Sequence, residues 1–542
     1  MKYTIEGKWV DIESRSIKEG RFVIEAGRIL EFEAMKTESQ VYLLPGFIDA
    51  HIHIESSMLV PYEFARVALT HGTVATISDP HEIANVNGLQ GVHYMLENAR
   101  DARLKFNFGA PSCVPATAFE SAGAVLGVKE VESLLQRDDI RYLSEMMNYP
   151  GVLFSDPEVM QKLEVARKYG KPVDGHAPGL RGEQARQYIA AGISTDHECF
   201  TLAEALEKIR YGMKIIIREG SAARNFDALH PLLQSHPASC MFCSDDKHPD
   251  ELLLGHINLL VARAIAMGYN VFDVLYAACV HPVKHYGLDC GLLRPGDPAD
   301  FIVVENLADF KVLKTFIDGE CVMENGESKL PEKQHAILNH FHTEKISAQD
   351  LGVPALGNTI RIIEAYDGQL ITGEKTAAAS IADGLAVADP LRDILKIAVV
   401  NRYEKQAPSC AFIRNFGLQR GAIASTVAHD SHNIIVVGAD DASMARAVNL
   451  LMENQGGLSL VDGPEEHVIA LPVAGLMSDK DCATIGKAYA HIDHAAKSLG
   501  SSLRAPYMTL SFMALLVIPQ LKLSDKGLFD GGSFQFTGVF PS

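Results

Sequence analysis

From about residue 41 to residue 290, short apolar runs alternate with stretches of helical spacing. FIDAHIHI, TVATISD, KFNFGAP, RYLSEMM, PVDGHAP, ISTDHE, KIIIRE and CMFCSDD each have the length and apolar content of a buried strand. Between them lie segments such as VPYEFARVALTHG and RGEQARQYIAAG, whose apolar residues recur on one helical face. Alternation of this kind predicts a parallel α/β layout. Eight strand–helix units in about 250 residues match the size of a (β/α)8 barrel, a TIM-like fold. The barrel is assigned to residues 41–290.

The flanks follow a different pattern. KYTIEGKWVDI and RFVIEAGRILEFE are β-type runs, the second broken by a turn at Ala26-Gly27-Arg28. Beyond the barrel, a Gly/Pro-rich entry, GLLRPGDPAD, leads into FIVVENL and KTFIDGECVM. Residues 1–40 and 291–330 therefore predict one small sheet domain, made of the two pieces that flank the barrel as a large insert. Residues 345–542 form a further α+β unit, in which IIVVGADD, ARAVNLLMENQGG and LSLVDG read strand, helix, strand. Asp441 falls near the N-cap of that helix, and the turn has one Gly and two acids, which would repel a phosphate.

Composition narrows the function classes. The 542 residues suffice for three or four structural units, and 47% apolar with 22% charged residues is the ordinary globular balance. With 49 basic and 68 acidic side chains the net charge is −19, unfavourable for nucleic acid or an anionic membrane. No apolar run approaches the ~18 residues of a membrane span, and the start of the chain has no signal-peptide pattern. Nine cysteines without framework spacing fit reduced thiols, so a cytoplasmic protein acting on a small molecule is expected.

The polar residues of the barrel collect at the predicted strand ends, where barrels of this type build their sites. His51 and His53 lie two apart, on one face of a strand and ~6.6 Å apart along it. Taken alone, such a pair is as consistent with hydrogen-bonded or surface histidines as with a metal site. Other strands shift the balance: Glu145 ends RYLSE, His176 ends PVDGH, His197 ends ISTDH and Asp245 ends MFCSD. Imidazole and carboxylate without thiolate suit Mn²⁺, Fe²⁺ or Zn²⁺. A pair of such ions brings a shared hydroxide within reach of neutral pH.

These residues carry a resemblance. PGFIDAHIHIE, a strand-five His, a strand-six His and a strand-eight Asp resemble the amidohydrolase superfamily of metal-dependent hydrolases. HIHIESSM, SDPHEIANV, SEMMNYPGV, DGHAPGL, STDHE and SDDKHPDEL are similar to the barrel motifs of its bacterial adenine deaminase family. NRY at 401–403 and GLQRGAIASTVAHDSHNIIVVG at 417–438 resemble that family's C-terminal domain. The resemblance implies a composite β-sandwich, a barrel and an added C-terminal domain. It implies that His51 and His53 bind a first metal, that Glu145 bridges to a second held by His176 and His197, and that Asp245 completes the first and handles protons. Two Mn²⁺ ions per chain are expected, with Fe²⁺ or Zn²⁺ as substitutes. The superfamily often uses a carboxylated Lys on strand four, but no Lys stands between Lys129 and Lys162, and Glu145 can meet the same need. The implied reaction is attack of an activated hydroxide on C6 of adenine, giving hypoxanthine and ammonia in purine salvage. A homo-oligomer is expected.

Other residues keep two readings each. His81 and Glu82 follow strand two, where they can contact substrate and shuttle a proton or serve as a cap and loop hydrogen bonds. Glu55 can touch the purine in a catalytic role or orient His53, and Asp246 can bind substrate or hold its own loop. AHDSHN at 428–433 reads as a domain-boundary loop or as a further metal site. His53-Ile54-Glu55 and Cys240-Met241-Phe242-Cys243 echo the H-x-E…P-C-x-x-C signature of another deaminase class. Ser239 stands where that signature needs Pro, so the two cysteines read as strand-eight packing. Two other functions compete with deamination: hydrolysis of a cyclic amide, for which the strand-four Lys is missing, and a non-catalytic assembly role, which the filled ligand positions disfavour.

Overall fold

The computed structural model describes residues 2–221 and 223–541. The first β-type runs become β1 (Lys2–Asp11), β2 (Ser16–Glu25), β3 (Arg28–Ala34) and β4 (Tyr42–Pro45). Between β2 and β3, Glu25 pairs with Arg28 across two residues at positive φ, Ala26 at 49° and Gly27 at 81°. Such a two-residue turn matches the twist of the strands it joins.

The eight apolar runs all form strands: β5 (Phe47–Ile52), β6 (Thr73–Ser78), β7 (Lys105–Ala110), β8 (Ile140–Met146), β9 (Val173–Gly175), β10 (Thr195–Asp196), β11 (Lys214–Arg218) and β12 (Cys240–Cys243). β5 to β9 pair in sequence order and in parallel, as do β10 to β12. Parallel bridges from Val173 to Ile193 and from Ile52 to Asp245 join the two groups into a ring. Every residue of β5, β6 and β12 is buried, as expected of strands covered on both faces. Cys240 and Cys243 are part of that packing.

Return strands β13 (Phe301–Val304), β14 (Val312–Ile317), β15 (Glu320–Glu324) and β16 (Glu327–Ser328) add to the first four in the order β16-β15-β14-β13-β4-β1-β2-β3. Phe22 and Leu43 from the first group and Phe301 and Phe316 from the second share one buried cluster, which ties the two ends together through apolar burial.

The C-terminal unit holds a second eight-stranded sheet, from Thr359–Ala365 to Glu465–Ala470. Its helix, Asp441–Glu453, lays Met444, Val448 and Leu451 on Ala398, Ala422 and Val436 of the sheet. The cap is Asp440, which accepts from Ser443 N–H, and Asp441 is the first helical residue. This unit docks on the barrel: Ser478 N–H donates to Met58 O at 2.8 Å, and helix Cys482–Ser498 packs on helix Pro249–Leu254. Among the described residues, no helix is long and apolar enough to cross a membrane.

β9 and β10 meet closely beside the future site. A Cβ on Gly175 would lie 2.4 Å from the backbone oxygen of Thr195. Gly175→Ala is expected to cost ~1–3 kcal/mol of stability, read by urea unfolding, and an unchanged midpoint would show that the strands part freely.

Candidate metal centre

Five strand ends converge at the C-terminal mouth of the barrel. His51 lies on β5, His53 one residue beyond it, Glu145 on β8, His176 and His197 just after β9 and β10, and Asp245 two residues past β12. All six are buried. Asp245 has a left-handed backbone, φ 52°, rare for a residue with a Cβ. Its N–H donates to His51 O at 3.0 Å and its carbonyl accepts from His53 N–H at 3.4 Å, so the bend that closes the ring also turns its carboxyl inward.

Two sets of donors share one carboxylate. His51 Nε2, His53 Nε2 and Asp245 Oδ1 lie 3.2 to 3.5 Å from one another. Glu145 Oε1 is 3.3 Å from His53 Nε2, while Oε2 is 2.8 Å from His176 Nδ1 and 3.3 Å from His197 Nε2. The Nδ1 of His53 meets the Asp79 carbonyl at 3.2 Å, a contact that needs the ring proton on Nδ1 and leaves a lone pair on Nε2 facing inward. Ligand atoms held about 2.1 Å from one cation lie about 3.0–3.4 Å apart, the spacing seen here. The donor set therefore fits divalent metal at two neighbouring positions, with Glu145 able to span them.

The charges agree. Among the described residues, six carboxyl side chains line the cavity, those of Glu82, Glu145, Glu198, Asp245, Asp246 and Asp430, and Arg218 is the one permanently cationic side chain. Arg218 Nη1 donates to Glu198 Oε1 and Asp245 Oδ2, each at 2.5 Å, and Nη2 to Glu198 Oε2 at 3.0 Å. Burial opposes ionisation of Asp245, but Arg218 beside it holds the carboxyl well below the usual range. Burial likewise opposes ionisation of Glu145, and His176, His197 and His53 override it. One guanidinium cannot balance six buried acids, and divalent cations can.

The remaining predicted residues fall into three places. His81 and Glu82 open helix His81–Ala99, and both line the cavity. His81 Nδ1 is 3.1 Å from Asp79 Oδ2 and 3.7 Å from Glu145 Oε1. Asp246 lines the cavity too, its Oδ1 accepting from Ser56 Oγ at 2.5 Å. Glu55 is not among the lining residues: its Oε1 accepts from Ile83 N–H at 3.2 Å, and burial pushes its carboxyl up to about 7. The acceptor that orients His53 is the Asp79 carbonyl, not Glu55.

Sequence reasoning missed Glu198 and Arg218 as lining residues, and it singled out His429 and Asp430 only within AHDSHN, apart from the barrel site. The first two carried a signal, since Glu198 follows His197 and Arg218 is the charged residue that directly follows the apolar run 215–217. Asp196 explains how the short β10 aims its neighbours: its Oδ1 accepts from Glu198 N–H at 2.9 Å and its Oδ2 meets the buried Lys208 ammonium. The AHDSHN segment sits between barrel and C-terminal unit, with His429 and His432 both on Glu82.

Comparison with known proteins gives two family matches. Residues 42–322 match the amidohydrolase family model, and residues 369–535 match the adenine deaminase C-terminal domain. Over 540 residues the chain is 54% identical to an adenine deaminase of Salinibacter ruber, covering 99% of each chain. It is 52% identical over 548 residues to an adenine deaminase of Methanosarcina barkeri, again covering 99% of each. An adenine deaminase of Sulfurovum sp. is 55% identical over 533 residues, covering 98% of each.

Protein loaded with Mn²⁺ is expected to hold about two equivalents by elemental analysis, and Glu145→Gln to lose at least one. Full occupancy in that variant would mean that the two oxygens of Glu145 serve hydrogen bonds alone.

Proposed function

The chain belongs to the amidohydrolase family and, within it, to the adenine deaminases, and from that membership we propose that it hydrolyses adenine, as the free base, to hypoxanthine and ammonia in the cavity at the barrel mouth. The observation that carries the reading is Glu145, whose Oε1 faces His53 and whose Oε2 faces His176 and His197. Divalent cations on that donor set, Mn²⁺ before Fe²⁺ or Zn²⁺ and two per chain, would supply water that ionises near neutral pH. His51, His53 and Asp245 form one half of the set, His176 and His197 the other, with Glu145 common to both.

The side chains handle protons and orientation. Arg218 occupies Oδ2 of Asp245, which leaves Oδ1 towards His51, His53 and the reacting side. Asp245 takes one proton of the attacking water and returns it to the ring or to the departing amine, and the other water proton goes to whichever of the two Asp245 does not supply. His81 stands between Glu145 and Glu82 and relays protons along the cavity wall. Asp246, with Oδ1 committed to Ser56, offers Oδ2 to a purine N–H. Glu55 acts at one remove, fixing through Ile83 N–H the helix that begins with His81 and Glu82.

Leu370, Phe512 and Leu515 border the same cavity. Such a wall favours a bare planar base over a riboside, whose hydroxyls would be buried against carbon. The unpaired cysteines support a reducing, cytoplasmic setting, and the reaction suits salvage or catabolism of the free base. We divide the chain into a composite sheet domain (1–40 and 291–330), the catalytic barrel (41–290), whose first strand β4 pairs into that sheet, and the C-terminal domain (345–542).

Ammonia release should be fastest with adenine, and adenosine and cytosine should be slower by at least ~10²-fold. Equal efficiency with adenosine would overturn the free-base reading. Asp245→Asn keeps the shape and removes the base, so kcat should fall by ~10²–10⁴-fold with metal largely retained. Near-normal turnover would remove Asp245 from the proton path.

A further inference from the structure

The C-terminal domain reaches into the barrel mouth through residues 428–433, and that segment is held from several sides. His429 N–H donates to Ser511 O at 3.0 Å, Tyr403 Oη to Ser431 O at 2.6 Å, and Asn433 Nδ2 to Ser121 O at 2.8 Å. Its two imidazoles share Glu82. His429 Nδ1 lies 2.6 Å from Glu82 Oε1, and His432 Nε2 meets Oε2. His432 Nδ1 accepts from Ala428 N–H at 3.2 Å, so its proton is on Nε2, aimed at the carboxylate. That tautomer makes the contact a hydrogen bond and leaves no lone pair for a cation between Glu82 and His432.

His429 is left with one uncommitted atom. Its Nδ1 is spent on Glu82, and its Nε2 is fully buried with no partner. The ring lies flat on Phe512, centroids 4.6 Å apart and planes 12° apart, and it lines the cavity shared with His53, Glu145 and His197. A buried polar atom left without a partner costs ~1–3 kcal/mol, and a ligand group can relieve that cost. Burial opposes a charge on this ring, but Glu82, joined by Asp246 and Asp430, lifts its pKa to about 9. Nε2 therefore carries a proton as well and donates.

We propose that His429, supplied by the C-terminal domain, determines substrate specificity: its Nε2–H bonds a ring-nitrogen lone pair of the purine, on the part of the base away from the carbon under attack. The proposal rests on the adenine reading and deepens it. His429 is two side chains removed from the shared carboxylate, since Glu82 holds it, His81 Nε2 is 3.5 Å from Glu82, and His81 Nδ1 is 3.7 Å from Glu145. It is thus set to meet a part of the base that the barrel ligands do not.

The test pairs deletion of the side chain with deletion of the ring nitrogen. Hypoxanthine, 3-deazahypoxanthine and 7-deazahypoxanthine are titrated by calorimetry into metal-loaded wild type, His429→Leu and His429→Gln. Wild type should bind one deaza analogue ~10–10²-fold more weakly than hypoxanthine. His429→Leu should bind hypoxanthine more weakly by a similar factor and should not distinguish that analogue from it. His429→Gln, which keeps an N–H donor at the end of its side chain, should restore part of the discrimination. If His429→Leu and His429→Gln discriminate as strongly as wild type, or wild type discriminates against neither analogue, the proposal fails. Loss of a metal equivalent in His429→Leu overturns it as well, by making His429 a ligand. Ammonia release from adenine by wild type separates the two readings: its absence defeats the deaminase assignment, whereas turnover without coupling defeats only the role of His429.

Discussion

Burying carboxylates without matching cations is the constraint around which this chain is built. Each ionised acid taken from water costs several kcal/mol unless positive charge or well-aimed donors face it. The barrel mouth gathers six acids against one guanidinium and the charged His429 ring. Much of the local structure is arranged to manage that excess. Arg218 spans Glu198 and Asp245, Lys208 sits beneath Asp196, Ser56 caps Asp246, and two imidazoles share Glu82. What these contacts leave unbalanced is concentrated at Glu145 and the face of Asp245 turned towards His51 and His53. The charge surplus and the metal-binding geometry therefore coincide in space.

Most of the barrel was legible because strands covered on both faces must be apolar throughout, and eight such runs stand out against amphipathic helices. The residues of the candidate site were legible for a related reason: a His or Glu ending an apolar run breaks the pattern where the strand emerges. Strand lengths were less so. PVDGHAP and ISTDHE shrink to three and two paired residues, and just past β10 the Asp196 carboxylate takes the Glu198 N–H that a longer ladder would use. Arg218 carried the same signal as the candidate ligands but reads by itself as an ordinary strand terminus.

Contacts between distant segments were beyond sequence pattern altogether. Glu82 and His429 lie 347 residues apart, and neither neighbourhood has a periodicity that names the other. Glu55 shows the converse limit. Its position two residues after His53 invites a direct role, yet the short 3₁₀ turn Ile54–Ser57 carries its carboxyl to the start of a neighbouring helix. A spacing of two implies a shared face only while the backbone stays extended, as it does through His53 but not through the turn Ile54–Ser57.

The shared use of Glu82 bears on how such a molecule can be taken apart. A barrel cut free of the C-terminal unit would keep a buried acid at its mouth and lose both imidazoles that satisfy it, along with the Phe512 and Leu515 wall. The catalytic half is thus not a transplantable module, although its ring of strands is complete in itself. Exchange of segments between relatives would have to carry residues 81–82 and 428–433 together, so inheritance should favour the undivided chain, and the matched relatives correspond to it from end to end.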